Sequence, residues 1–153
     1  EEISGKFNMT DIAARIGLGQ LPSLDAFNTR RRDLARRYFA SLDASLHLGL
    51  PVADFEQSNW HMFQVLLPLE RLAISRGEFL RRMHAKGIGI GVHYPAMHLF
   101  SAYRRAGWKE GDCPNAERIG ARTVTLPLFP AMQDGDVDRV CGVLRQVMRG
   151  AME

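Results

Sequence analysis

Two imidazoles and a phenol fall within six residues, in His93-Tyr94-Pro95-Ala96-Met97-His98. Histidine exchanges protons near neutral pH, and a tyrosine hydroxyl both donates and accepts hydrogen bonds. A polar ligand in reach of this run would meet all three groups. The same residues also suit a structural role, with the histidines satisfied by backbone carbonyls and Tyr94 packed in the core. Zinc is a poor match, because no third or fourth ligand stands at a recognisable spacing.

A second candidate is Ser4-Gly5-Lys6-Phe7-Asn8-Met9-Thr10-Asp11, a glycine-containing loop that runs into a helix. Lys6, Asn8 and free backbone N–H groups there could hold an anion, although an ordinary loop before a capped helix has the same form. The Gly-x4-Gly-Lys-Ser/Thr spacing of a P-loop is missing, and Gly17-Leu18-Gly19 lacks the third glycine and the preceding strand of a dinucleotide fingerprint. His61, inside Trp60-His61-Met62-Phe63, reads as a structural residue at the start of an apolar strand. There is no Gly-x-Ser-x-Gly elbow, and neither Cys113 nor Cys141 has a nucleophile context.

The elements that must position these groups follow from periodicity. Thr10 caps a short helix over Asp11–Gln20, weakened by Gly17 and Gly19. Pro22 opens a longer helix with Leu24, Phe27, Leu34, Tyr38 and Leu42 on one stripe, ended by Gly49-Leu50-Pro51. Asn59 through Pro68 predicts a buried strand. Ser75-Arg76-Gly77-Glu78 has the form of a capping box, which starts a helix with Phe79, Leu80 and Met83 inward and Gly87 as its stop.

Strict alternation in Gly87-Ile88-Gly89-Ile90-Gly91-Val92-His93-Tyr94-Pro95 predicts a strand with the isoleucines and Val92 on one face. Gly89, Gly91 and His93 take the other face, which is bare up to a single imidazole, as glycine in a strand does where a ligand or another backbone comes close. Short helices follow near Leu99–Ala106 and Pro114–Ala121. Thr123–Leu128 predicts a third strand, pushed toward an edge by Pro127, and Asp134 or Asp136 caps a last helix bearing Val137, Val140, Cys141, Leu144, Val147 and Met148. The order predicts an α+β fold: an antiparallel sheet of about three strands covered by helices mainly on one side.

Composition sets the outer limits. The chain has 153 residues, 46% hydrophobic and 24% charged, which suits one globular domain and argues against disorder or a coiled coil. No apolar run approaches the roughly 20 residues that span a bilayer, so no membrane partner is expected. The formal charge is +3, and Lys6, Lys86 and Lys109 are the only lysines. Arg30-Arg31-Arg32 with Arg36-Arg37 is diluted by Asp25, Asp33 and Asp43, so it reads as a solvated helix face and not as a nucleic-acid site. Two cysteines without metal spacing point to a reducing cytoplasm. The start at Glu1-Glu2-Ile3 suggests a fragment of a longer chain.

These pieces, in this order, resemble the C-terminal region of the DegT/DnrJ/StrS family, pyridoxal-phosphate (PLP) aminotransferases that act on nucleotide-linked keto-sugars. The resemblance runs through Gly5–Gln20, Arg30-Arg31-Arg32, Trp60-His61-Met62-Phe63, Lys86–His98, Leu126-Pro127-Leu128-Phe129-Pro130 and Asp134 to Val140. It implies the small C-terminal domain of a type I aminotransferase fold, with 1–50 as an interface loop and linking helices and 51–153 as the α+β domain. It implies a homodimer with a shared active site, where Lys6 and Asn8 reach the cofactor phosphate of the neighbouring subunit. His93, Tyr94 and His98 would then approach the substrate.

Many members carry asparagine at the position of Lys6 and arginine at that of Asn8, and this chain departs from both. The resemblance further implies an amino donor, typically glutamate, and a Schiff-base lysine upstream of Glu1, since none of the three lysines matches the family's catalytic position. The competing expectation is a free-standing domain kept for binding or dimerisation.

Overall fold

A computed structural model describes residues 8–152, so Lys6 lies outside the described residues. Helix α1 covers Asp11–Gln20, and the Thr10 side chain accepts a hydrogen bond from the Ala13 amide, as the sequence predicts. None of its residues is buried, and Met9, Ile12, Ile16, Leu18 and Leu21 all face outward. Pro22 stands in a 3-10 turn, Leu21–Ser23, and the long helix α2 runs from Leu24 to Ser41. Leu34, Ala35 and Tyr38 are its buried residues.

Strand β1 is Phe63–Leu66, four of the ten residues expected from the apolar run. Most of the loss is at its start. Trp60 sits at φ 47°, and the side chains of Ser58 and Asn59 accept hydrogen bonds from the amides of Trp60 and His61. Such local side-chain bonds offer the backbone an alternative to a ladder. The turn seats the Trp60 ring against Phe39, Phe55 and Phe63, and Phe63 stacks on Tyr38.

Helix α3, Arg76–Ala85, buries Phe79 and Met83. Ser75 accepts from the Glu78 amide, while the Glu78 carboxylate turns to Arg81 and Arg82, so only half of the capping box forms. Gly87 follows at φ +73°, the left-handed conformation that ends helices and that glycine adopts freely. Helices α4, Ser101–Arg105, and α5, Pro114–Arg122, lead to strand β2, Thr123–Leu126. The last helix, α6, spans Asp134–Arg149 and buries all six of the apolar residues expected of it. Its cap is Gln133, not an aspartate; Asp136 serves as the reciprocal partner three residues in, accepting from the Gln133 amide at 2.8 Å.

The sheet has two strands, not about three. β1 and β2 pair antiparallel, with Phe63 opposite Leu126, Gln64 opposite Thr125, Val65 opposite Val124 and Leu66 opposite Thr123. The predicted strand over Gly87–Pro95 contributes one bridge, Gly91 to Thr125. The reasons are local. The Ile88 amide still bonds to the Met83 carbonyl of α3, and Pro127 has no N–H with which to lengthen the ladder. That bridge also places β2 between two neighbours, so the strand expected at an edge is the middle of the layer. On the far side, Gly49 bridges to Leu66 of β1.

One face of this layer carries Phe63, Val65, Val124 and Leu126 into a core shared with α2, α3 and α6. Arg30 donates to the Met132 carbonyl at 2.6 Å, and Arg37 pairs with Asp138, so part of the arginine run ties α2 to α6. Leu144 is fully buried in that core. Replacing it, Leu144→Ala, is expected to lower stability by about 2–5 kcal/mol in chemical denaturation. Ile12→Ser on the outer face of α1 should change stability by less than about 0.5 kcal/mol.

Candidate functional site

The other face of the layer is polar. Antiparallel partners point to the same side, so Gln64 of β1 and Thr125 of β2 stand together on it. Gly91 exchanges two backbone hydrogen bonds with Thr125, at 3.1 and 2.8 Å, which brings the bare glycine strip alongside. Ile88 and Ile90 enter the core, while nothing lies within 4 Å of where a Cβ on Gly89 would stand. The alternation read from sequence thus holds for the two isoleucines, while Val92 is half-buried and stands outside the core cluster.

His93 ends the strip. Its Nδ1 lies 2.9 Å from the Thr125 hydroxyl, and its carbonyl accepts a hydrogen bond from the Gln64 side chain. Its ring meets that of Tyr94 edge-on at 5.0 Å. The Tyr94 side of the turn is open: the residue is 69% exposed. His98 behaves differently. It is buried, with Nε2 2.8 Å from the Glu117 carboxylate. The structure thus brings His93 and Tyr94 together at an open edge and sets His98 into the adjoining hairpin.

Glu117 organises that hairpin. Its Oε1 accepts from His98 and from the amides of Gly111 and Cys113. The His98 bond, with help from the two amides, holds the carboxyl below the usual range against the opposing effect of burial. Beside it lies an apolar cavity of about 300 Å³ lined by Met97, His98, Tyr103, Trp108, Cys113 and Ala116. Burial pushes the other thiol, Cys141, up to about 11, which leaves it a poor nucleophile.

The remaining candidates are apart from this group. Asn8 is exposed, two residues ahead of the Thr10 cap, and His61 is exposed beside β1. Among the described residues no three His, Cys, Asp or Glu side chains gather as a metal site.

Sequence reasoning passed over four residues that build the site. Gln64 was hidden in an apolar run, and Thr125 and Glu117 carry their meaning only through partners distant in sequence. Gly120 left a visible sign, since glycine inside a helix is unfavourable by about 1 kcal/mol relative to alanine. A Cβ there would stand 2.7 Å from the Ala96 amide nitrogen and 3.2 Å from the Tyr94 carbonyl oxygen. Gly120 thus lets the turn that carries Tyr94 rest directly on α5. Gly120→Ala should destabilise the fold by about 1–3 kcal/mol despite its better helix propensity, as measured by denaturation.

The profile of the DegT/DnrJ/EryC1/StrS aminotransferase family matches residues 1–145. The chain is 35% identical over 149 residues to the spore coat polysaccharide biosynthesis protein SpsC of Bacillus subtilis, covering 95% of this chain and 38% of that protein. It superimposes on Spr1654 of Streptococcus pneumoniae in its PLP form with a TM-score of 0.86 and 26% identity, covering 95% of this chain and 37% of that one. DesI, solved in the presence of its TDP-sugar product, gives a TM-score of 0.79 at 29% identity, with 93% and 36% covered. The chain thus spans less than two fifths of the length of each of these proteins.

Proposed function

From the premise that the chain belongs to the DegT/DnrJ/EryC1/StrS aminotransferase family, we propose that it is the C-terminal portion of a PLP-dependent sugar aminotransferase. The parent enzyme moves an amino group from an amino acid, glutamate as donor, to a nucleotide-linked keto-sugar. Two copies form a homodimer with shared active sites, and this chain supplies the cofactor-phosphate loop and the substrate-side turn. The TDP-sugar found with DesI and the polysaccharide role in the name of SpsC support the substrate class. No described helix is long and apolar enough to cross a membrane.

The observation that carries this reading is the His93–Tyr94 edge, a polar pair held at the end of a strip cleared of side chains. The exposed Tyr94 hydroxyl binds a sugar oxygen, and His93 orients the same ligand. His98, fixed by Glu117, keeps the turn in place from behind and lends the ligand side a polar wall. At the other end of the chain the donor chemistry fits a phosphate: the Lys6 ammonium supplies charge, and the exposed Asn8 amide supplies N–H donors. When bound, PLP supplies the electron sink for amino transfer, and the protein orients the reacting groups. On this reading the Schiff-base lysine belongs to the rest of the parent, since none of Lys6, Lys86 and Lys109 matches the family's catalytic position.

The uncovered apolar face of α1 favours a second reading, a free-standing domain that binds or dimerises without catalysis. Expression of the complete reading frame with PLP, followed by a screen of nucleotide keto-sugars with glutamate, separates the two. Amination is expected, with Tyr94→Phe lowering kcat/KM about tenfold, the loss of roughly 1.4 kcal/mol of hydrogen bonding. The 153-residue chain alone is expected to show no turnover. Turnover and stable PLP absorbance from the isolated chain, or no amination by the whole protein, would contradict the proposal.

A further inference from the structure

The His93 side chain is held by more than one contact. Its ring lies over Gly91, where a Cβ would stand 2.8 Å from Cε1, closer than real Cβ atoms approach. Its Nδ1 is 2.9 Å from Thr125 Oγ1. The Thr125 backbone groups are already committed to Gly91, and the residue is only 9% exposed. Among the described residues the one hydrogen-bond partner of the Thr125 hydroxyl is Nδ1, and none bonds His93 Nε2.

A neutral imidazole has one N–H and one bare nitrogen, and the partner of one nitrogen decides which is which. If Nδ1 carried the proton, the threonine oxygen would accept it and its own hydrogen would be left without an acceptor. Buried donors without partners are rarer than acceptors with a spare lone pair. The hydroxyl therefore donates to Nδ1, and the ring proton sits on Nε2.

We propose that Thr125 and Gly91 are positioning residues that present His93 as the Nε2–H tautomer, a neutral hydrogen-bond donor. The group it meets is then an acceptor oxygen, such as the keto or hydroxyl oxygen of a sugar or a phosphate oxygen, and not an amine. In this form Nε2 has no lone pair in the ring plane to take a proton, so His93 orients a ligand and does not act as a base. The proposal rests on placing His93 on the substrate side.

Long-range proton–nitrogen NMR of the ¹⁵N-labelled chain tests it at about pH 8, above the ordinary imidazole range. The wild-type His93 ring should show a protonated Nε2 and a bare Nδ1. Thr125→Val should reduce that preference about fivefold, the change for roughly 1 kcal/mol of hydrogen bond, while Thr125→Ser retains it. Gly91→Ala should move the His93 ring resonances and leave those of His98 in place. A protonated Nδ1 in the wild type overturns the proposal, as does a Thr125→Val spectrum with His93 unchanged. If the valine variant fails to fold, the wild-type and serine spectra still decide. The readout is independent of turnover, so the tautomer can hold while sugar amination fails, or fail while amination holds.

Discussion

Thr125 is paired on both sides, and the rest of the molecule is arranged around that constraint. Through the β2 register it stands opposite Gln64, and through its own amide and carbonyl it holds Gly91. A two-stranded antiparallel pair is marginal by itself in water and needs helices to pack against. Here the aromatic group around Phe63 and the inward faces of α2, α3 and α6 provide that support from one side. The opposite side is thereby free to carry polar groups on a stiff backing, which is where a binding site gains accuracy.

Two close approaches then shape the polar side, and both depend on the absence of a side chain. Gly91 leaves room for the His93 ring, and Gly120 leaves room for the backbone of the Tyr94 turn. The two imidazoles differ because their surroundings differ. His98 is shut between α5 and the loop after α4, facing a carboxylate that already accepts from two amides. His93 faces a hydroxyl on one nitrogen and an open edge on the other. The same residue type thus serves as a fastening in one place and as a presented group in the other.

Much of the fold was legible because it depends on spacing along the chain. The six buried positions of α6, the Thr10 cap and the stop at Gly87 are local features, and each stands where periodicity or capping put it. Strand extent was not legible, because a ladder needs a partner with free N–H groups as well as alternation. Ile88 is still bonded to α3, and Pro127 cannot donate, so a nine-residue alternating run makes a single bridge. Position in the layer failed for the same reason: Pro127 lies just beyond the strand and does not prevent Thr125 from pairing on both sides. The polar run was visible in the sequence as three side chains within six residues, but their separate environments come from Thr125, Glu117 and Gln64, which only folding brings to them.

The glycine strip is held as a further element of the sheet layer through Gly91, even though it forms no strand. Native-state hydrogen exchange at the Gly91 amide tests this. The two bonds shared with Thr125 predict that Gly91 exchanges as slowly as Val124 in the β1–β2 ladder, through opening of the whole core. Exchange at Gly91 as fast as at the open Gly107 turn, with Val124 still protected, would contradict it.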